Sequence, residues 1–328
     1  MANLQTGPAR AVSPPDYVSN SRKHSGCNQE NQLWARIESL LTGSDSQIAI
    51  DILYSFQFGL SPTRTSIVDE LTSLGMCTPV NGHRRYILTS FGAKCSASVR
   101  EYVFWRMRDK TIHCENEHPS TRVEDFRGQR VLEVGCGCGM NLLRLSQFAA
   151  RAIGAEVEPI YIQMSKILAK REALAPPEIY VCESEAMPFP AETFDRVIIF
   201  NSLQYMDVRR AFSECARVTR SGGMVMAAPC IIPSEFARNE LRLFTNTLNF
   251  RRMLGAVLIL SNTAAYQVFG RRLLRTPGNE STARPIRPTK RFLVSLAHKQ
   301  GLSFLSSLSG QFGEHHCFAF EKVHRSTS

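Results

Sequence analysis

The sequence predicts an α/β protein in two units, a parallel-sheet domain over residues 128–328 and a smaller N-terminal unit of helices with a β-hairpin over residues 32–105. Three observations carry this. From Arg130 onward, apolar strand-like runs alternate with helical patterns, which is how a parallel sheet with crossover helices is written in sequence. Asn81-Gly82, a turn-forming pair, sits between two short strand-like runs. A glycine-rich loop, Gly135-Cys136-Gly137-Cys138-Gly139, follows directly on the first apolar strand of the alternating region. The chain has 328 residues, 43% hydrophobic and 21% charged, which suits a medium soluble domain plus a smaller one.

Residues 1–31 are rich in Pro, Ser, Asn and Gly and read as a disordered tail. Helical patterns follow over Leu33–Leu41 and Gln47–Phe56. In the next helix Ser61 is positioned to cap, Pro62 suits the first helical position and Gly75 the exit, with Ile67, Val68, Leu71 and Leu74 on one apolar stripe. Cys77–Val80 and Arg84–Leu88 then flank Asn81-Gly82 as a hairpin with a two-residue turn. Thr89 starts a helix running through Val99 to Trp105, and residues 106–127 read as a linker.

Strands are expected at Arg130–Val134, Ala152–Val157, Glu178–Cys182, Arg196–Phe200, Gly223–Ala227, Leu302–Leu305 and His316–Glu321, with helices at Met140–Phe148 and Lys290–Lys299. An arginine-rich insertion at about 231–288 interrupts the alternation and reads as a lid. Within it Met253–Gly270 carries no charge and is bracketed by Arg251-Arg252 and Arg271-Arg272. Its length approaches a membrane span, but Ser261, Asn262, Thr263 and Gln267 dilute its second half, so a buried or lid helix is the expectation. Peripheral membrane contact through residues 241–275 is the alternative.

The formal charge of +10 points to an anionic partner, whether nucleic acid, membrane surface or acidic substrate. The ten cysteines lack metal-ligand spacing, and no apolar segment follows a basic start in the first thirty residues. Free thiols in a reducing cytoplasm are therefore expected, with no metal site.

The loop after Val134 carries the chemistry. Glycines let the backbone approach a ligand where a Cβ would collide. The spacing is G-x-G-x-G and not the dinucleotide G-x-G-x-x-G, and Glu133 precedes it. A carboxylate there would repel a pyrophosphate but would face a cation favourably. The following strand ends at Gly154-Ala155-Glu156, the distance at which a ribose-binding carboxylate is expected.

Over Arg130–Pro229 the sequence resembles the class I methyltransferases that use S-adenosylmethionine, which implies a Rossmann-like seven-stranded sheet. Glu133 and Gly135–Gly139 resemble the family's first motif, and Glu156, followed by Val157, matches the acid that grips both ribose hydroxyls. Val181 to Phe189 resembles the segment flanking adenine, with Glu183 in place of the acid that contacts the adenine amino group and Ser184 offering its N–H. Phe194–Ile198 and Asn201–Tyr205 resemble the strand and turn beside the methyl donor, and Arg217-Val218 with Ser221–Gly223 the later turn into a strand. The resemblance thus assigns Glu133, Gly135, Cys136, Gly137, Gly139, Glu156, Val157, Glu183, Ser184 and Asn201 to the cofactor. Glu stands for the commoner Asp at 156 and 183, and Cys occupies 136 and 138. The N-terminal unit, through Tyr86–Gly92, resembles both winged-helix regulators and the dimerisation domains of small-molecule O-methyltransferases, which implies a homodimer.

Because the sulfonium methyl is already activated, positioning is expected to dominate, with a general base where the acceptor is a hydroxyl. Tyr205, His315 and His316 are the catalytic candidates; Glu314 and His298 are weighed beside them, and His113 and His118 behind them. The expected function is methyl transfer to a bulky, partly apolar small molecule, on oxygen, in specialised (secondary) metabolite biosynthesis. Transfer to carbon or nitrogen of a quinone-like, isoprenoid-like or other apolar acceptor is the first alternative. The second is a DNA-binding regulator that senses S-adenosylmethionine, with His83, Arg84 and Arg85 on a wing and the expected recognition helix carrying Arg64 beside Asp69 and Glu70. That mixed charge argues against duplex DNA as a partner, and the absence of an Asn/Asp-Pro-Pro-Tyr/Phe element at Asn201–Gln204 argues against methylation of a DNA base, while RNA or protein stays open as a third acceptor class.

Overall fold

The computed structural model describes residues 26–80, 82, 85–111, 126–230, 232–272, 285–309 and 316–323. The N-terminal unit comprises helices α1 (Gly26–Thr42), α2 (Ser46–Ser55) and α3 (Ser66–Ser73), strands β1 (Cys77–Val80) and β2 (Arg85–Leu88), and the long helix α4 (Ser90–Thr111). Gly26–Asn31, read as tail, is the first part of α1; the preceding residues lie outside those described.

The expected cap of α3 is corrected. Ser61 does not cap α3: its Oγ accepts the Tyr86 N–H of β2 at 2.8 Å. Residues 61–65 therefore carry no helix, Pro62 falls outside it, and Thr65 caps, accepting from Val68 N at 3.3 Å. The exit at Gly75 has the Schellman pattern, with Met76 N on Leu71 O at 2.9 Å, Gly75 N on Thr72 O at 3.0 Å and φ +70° at Gly75. β1 and β2 pair antiparallel as the expected hairpin, with Val80 opposite Arg85. Burial of Cys77 and Tyr86 on one face of the pair holds this register, because a one-residue slip would turn both outward. Asn81, His83 and Arg84 lie outside the described residues.

Helix α4 continues past Trp105 to Thr111, into the segment read as linker. The sequence there, Arg106-Met107-Arg108, contains good helix formers, and Tyr102 OH and Arg106 both bond Glu172. Residues 112–125, with His113 and His118, lie outside the description.

The second unit runs β3 (Arg130–Val134), α5 (Met140–Leu145), β4 (Arg151–Glu156), α6 (Pro159–Arg171), β5 (Glu178–Val181), β6 (Phe194–Phe200), α7 (Val208–Val218), β7 (Thr219–Cys230), α8 (Pro233–Thr247), α9 (Phe250–Phe269), α10 (Lys290–Lys299), β8 (Leu302–Ser309) and β9 (His316–Lys322). Helix α5 stops at Leu145, short of the expected Phe148, because the chain closes a turn there with Phe148 N on Leu145 O. The strands form a seven-stranded sheet in the order β5-β4-β3-β6-β7-β9-β8, parallel except for β9. From β3 the chain winds outward to β5, then returns to β6 on the other side of β3. This reversal opens a crevice at the carboxyl ends of β3 and β6.

Helices α7 and α10 cover one sheet face through a core including Phe194, Phe212, Leu293, Phe318 and Phe320. A second core joins the two units: Ile37, Leu41, Val68, Val99 and Tyr102 pack in one cluster with Met140, Leu143, Met164 and Leu168 of α5 and α6. Ion pairs and hydrogen bonds follow the same seam, among them Lys94–Glu158 at 2.7 Å and Arg171 to Leu41 O at 2.9 Å.

The start of α4 rests on the exit of α3. Thr89 caps α4 by accepting from Gly92 N at 3.0 Å, and a Cβ on Gly92 would lie 1.7 Å from the Met76 carbonyl oxygen. Gly92→Ala should therefore destabilise the protein by about 1–3 kcal/mol, as overpacking does. A lowered denaturant midpoint is the expected reading; an unchanged one would show that α4 shifts without penalty.

Candidate functional site

The crevice is built around the turn after β3. Gly135, Gly137 and Gly139 have φ of +68°, +56° and +70°, which side-chain-bearing residues rarely adopt. Space is short as well: a Cβ on Gly135 would lie 2.6 Å from Ser202 Cβ, and one on Gly137 2.6 Å from Glu101 Oε2. Gly135 N and Cys136 N both donate to Ala155 O, at 2.8 and 3.2 Å, and Ser202 Oγ donates to Val134 O at 2.8 Å, so β4 and the end of β6 clamp the loop.

Two carboxylates complete it. Glu156, at the end of β4 and 7% exposed, accepts Gly137 N on Oε2 at 2.9 Å and Val157 N and Glu158 N on Oε1 at 2.9 and 3.0 Å. Glu101 reaches the loop from α4, accepting Cys138 N on Oε2 and Met140 N on Oε1, both at 3.2 Å. Glu133 lies beneath the loop, fully buried, with Oε1 accepting from Asn141 Nδ2 at 2.9 Å. Burial raises the Glu156 carboxyl above its ordinary 4.5, against the pull of the loop N–H groups. Burial likewise raises Glu101, opposed by its bonds to Cys138 and Met140 and reinforced by the charge of Glu156. Burial and then Glu133, Glu156 and Glu101 push the Cys136 thiol well above 9.0, and burial and Glu101 do the same for Cys138. Neither thiol is a nucleophile at neutral pH. The Tyr161 phenol is raised by burial and by Glu156 and Glu101, which places it in the same negative field.

The remaining predicted residues surround the opening. Val157, Glu183, Asn201 and Tyr205 are exposed along the ends of β4, β5 and β6, and Asn201 has φ +55°. Ser184 Oγ donates to Glu185 Oε2 at 2.7 Å, and Glu185 Oε1 accepts Asp207 N at 2.6 Å, tying the segment after β5 to the turn after β6. His316 pairs with Cys230 at the carboxyl end of β7, on the same edge as the crevice; its side chain and all of Glu314 and His315 lie outside the described residues. His298 is on the other edge. It ends α10 just before β8, and β8 starts alongside the beginning of β7 because both flank the antiparallel β9.

Glu101, Tyr161 and Ser202 were missed in the sequence. Ser202 lay inside the matched turn and could have been found. Glu101 could not, since nothing local links a helix of the N-terminal unit to a loop that begins 34 residues later (135 − 101).

A methyltransferase-domain family matches residues 132–227, the span that carries this geometry. The phosphatidylethanolamine N-methyltransferase of Cereibacter sphaeroides is 30% identical over 168 residues, 47% of this chain and 80% of that protein. This chain belongs to the class I S-adenosylmethionine-dependent methyltransferases. The uncharacterized methyltransferase YcgJ of Bacillus subtilis is 26% identical over 141 residues, 43% of this chain and 50% of YcgJ. A ubiquinone biosynthesis O-methyltransferase of Rhodopseudomonas palustris is 28% identical over 102 residues, 31% of this chain and 39% of that one. The match thus takes in half or less of the length of these last two.

The cofactor of the methyltransferase is S-adenosylmethionine. The residues present fit it: three buried or half-buried carboxylates converge on a loop that only glycine backbone can form, and their shared field suits a ligand bearing ammonium and sulfonium charges.

The raised carboxyls have a consequence for the free protein. Their folded pKa values exceed the ordinary 4.5, so the stability they contribute is complete below that pH and is lost as pH rises through the raised values. Melting temperature should therefore fall as pH rises through the window just above 4.5, and Glu101→Gln should flatten that slope. An identical slope in the variant would mean that Glu101 titrates normally.

Proposed function

We propose that this methyltransferase transfers a methyl group to a bulky, partly apolar small molecule, with oxygen as the methylated atom and specialised metabolism as its setting. The observation that supports the acceptor class is an open groove of about 480 Å³ between α8 and α9, lined by Phe236, Asn239, Glu240, Arg242, Leu243, Arg252 and Arg287. Glu240 is engaged by Arg252, so walls that are partly apolar and positive on balance suit an amphiphilic acceptor with an anionic group. Arg287 connects the groove to the crevice: its side chain stacks on Phe236 at 5.1 Å and donates to Gln204 in the turn after β6. The names of two relatives, a phosphatidylethanolamine N-methyltransferase and a ubiquinone biosynthesis O-methyltransferase, point toward acceptors with large apolar parts.

In this reading Glu156 holds the ribose hydroxyls on the lone pairs its three N–H donors leave, with Val157, Glu183, Ser184 and Asn201 around the nucleoside. Glu133, Gly135, Cys136, Gly137 and Gly139 shape the amino-acid end, and Glu101 adds negative charge there. When bound, the cofactor supplies an electrophilic methyl, so the protein's task is to aim the acceptor in line with it. Tyr205, exposed on the rim, and His316, on the same sheet edge, are the side chains proposed to orient or deprotonate a hydroxyl.

The N-terminal unit is proposed to have a winged-helix form and to pair two copies of the chain. Phe58, Tyr54 and Phe104 form an edge-to-face cluster, with Phe58 and Phe104 exposed beside Leu60. The regulator reading finds less support, because Arg64 is paired with Asp69 at 3.1 Å and the pair offers no net positive charge to a phosphate.

The test is turnover: cell extracts fractionated for acceptors of labelled methyl, with mass spectrometry of the product. Labelling of a small apolar or amphiphilic molecule on oxygen is expected; labelling of protein or nucleic acid alone would overturn the proposal. Glu156→Ala should weaken S-adenosylmethionine binding by about 1–3 kcal/mol in calorimetry, and unchanged affinity would remove it from the site. Phe58→Glu should sediment as a monomer where the parent is a dimer; identical sedimentation would exclude this face.

A further inference from the structure

Helix α9 is inside out. Its inward positions include Ala256, Asn262, Thr263 and Tyr266, all buried. Its exposed positions include Phe250, Leu254, Val257, Ser261, Ala264 and Val268, which recur at steps of four and three residues and so share one face, with Arg252 and Phe269 exposed beside them. A helix on the surface of a soluble protein carries the reverse pattern. Phe250, Val268 and Phe269 are 73%, 71% and 72% exposed. Of the polar residues that interrupt the apolar run in sequence, Asn262, Thr263 and Gln267 are turned to the inner side and Ser261 is exposed. Thr263 Oγ1 accepts Arg287 N at 2.9 Å, Tyr266 OH donates to Asp207 Oδ1 at 2.6 Å, and Gln267 Oε1 accepts from Thr289 Oγ1 at 2.6 Å. The helix is thus fixed in orientation with an apolar face turned to the outside.

The charges around that face have one sign. Arg238 and Arg242 on α8, Arg252 near the start of α9 and Arg271 just beyond its end are exposed. The two acids of this hairpin, Glu235 and Glu240, are turned partly inward, and Glu240 is bonded to Arg252 at 2.7 and 3.0 Å. A second copy of the chain would bring the same positive rim against its own. A surface with anionic groups above an apolar layer complements it on both counts.

We propose that α9 lies flat on an anionic lipid bilayer, with Phe250, Leu254, Val257 and Val268 at the boundary of headgroups and acyl chains and the arginines at lipid phosphates. Its 20 residues extend about 30 Å, enough for a broad contact in the membrane plane. Among the described residues no helix is long and apolar enough to cross a membrane, so the contact is peripheral. The end of α9 is tied to the crevice, since Arg272 donates to Tyr205 O at 3.0 Å. Docking would therefore hold the mouth of the site close to the lipid surface. This inference rests on the helix and its charges and is independent of the acceptor assignment.

The full chain is sedimented with phosphatidylcholine vesicles containing or lacking phosphatidylglycerol. Binding is expected to the anionic vesicles and to weaken with salt. Leu254→Glu with Val257→Glu should reduce it at least about tenfold while leaving melting temperature and calorimetric S-adenosylmethionine binding unchanged, because both positions are exposed. Arg242→Glu should weaken binding to the anionic vesicles. The proposal is overturned if the parent binds neither vesicle or if the double variant binds as well as the parent. It is equally overturned if the double substitution only converts a dimer to a monomer, which would assign the face to a second copy. Methyl transfer assayed without vesicles reads the proposed function separately.

Discussion

The turn after β3 leaves a run of backbone N–H groups facing inward, and two carboxylates from distant parts of the chain satisfy them. Glu156 takes Gly137 N, and Glu101 takes Cys138 N and Met140 N. Buried N–H groups without acceptors are costly, and buried carboxylates without donors are costlier still, so each solves the other's problem. The arrangement forces glycine at positions 135 and 137, since any Cβ would strike Ser202 or Glu101, and it concentrates negative charge around the loop. Burial raises the carboxyls of Glu101 and Glu156 above their ordinary value, against the pull of these N–H groups.

That constraint explains why the N-terminal unit is fused to the catalytic sheet. A hydrophobic cluster shared by α1, α3, α4, α5 and α6 brings α4 against the loop, and Glu101 can reach Cys138 and Met140 only from there. The bonds of Tyr102 and Arg106 to Glu172 hold the same helix one turn further along, against the end of α6. Whatever else the N-terminal helices do, they are part of the wall of the crevice.

The hairpin of α8 and α9 stands on the other side. Asp207 caps α7 and also receives the Tyr266 hydroxyl, while its own N–H donates to Glu185 in the segment after β5. A single aspartate thus links a helix that faces outward with an apolar stripe to the strands that line the crevice. The placement gives a physical sense to an insertion that breaks the strand–helix alternation: its inner side is hydrogen-bonded to the turn after β6 and its outer side carries an apolar stripe.

The sequence by itself determined the sheet, the glycine loop and the acids at 133 and 156, because each is set by local rules: alternation of apolar runs, the conformational freedom of glycine, and a fixed interval between strand ends. It also contained the apolar run of α9, but one dimension cannot tell an inward face from an outward one when polar residues occupy the buried side. Tertiary structure decided what depends on contacts between remote segments. Ser61 binds β2 in place of capping α3, α4 runs on because Glu172 receives it, and Glu101 enters a loop from another unit. His298 shows the same limit in reverse, a plausible base in sequence that the antiparallel strand places on the far edge of the sheet.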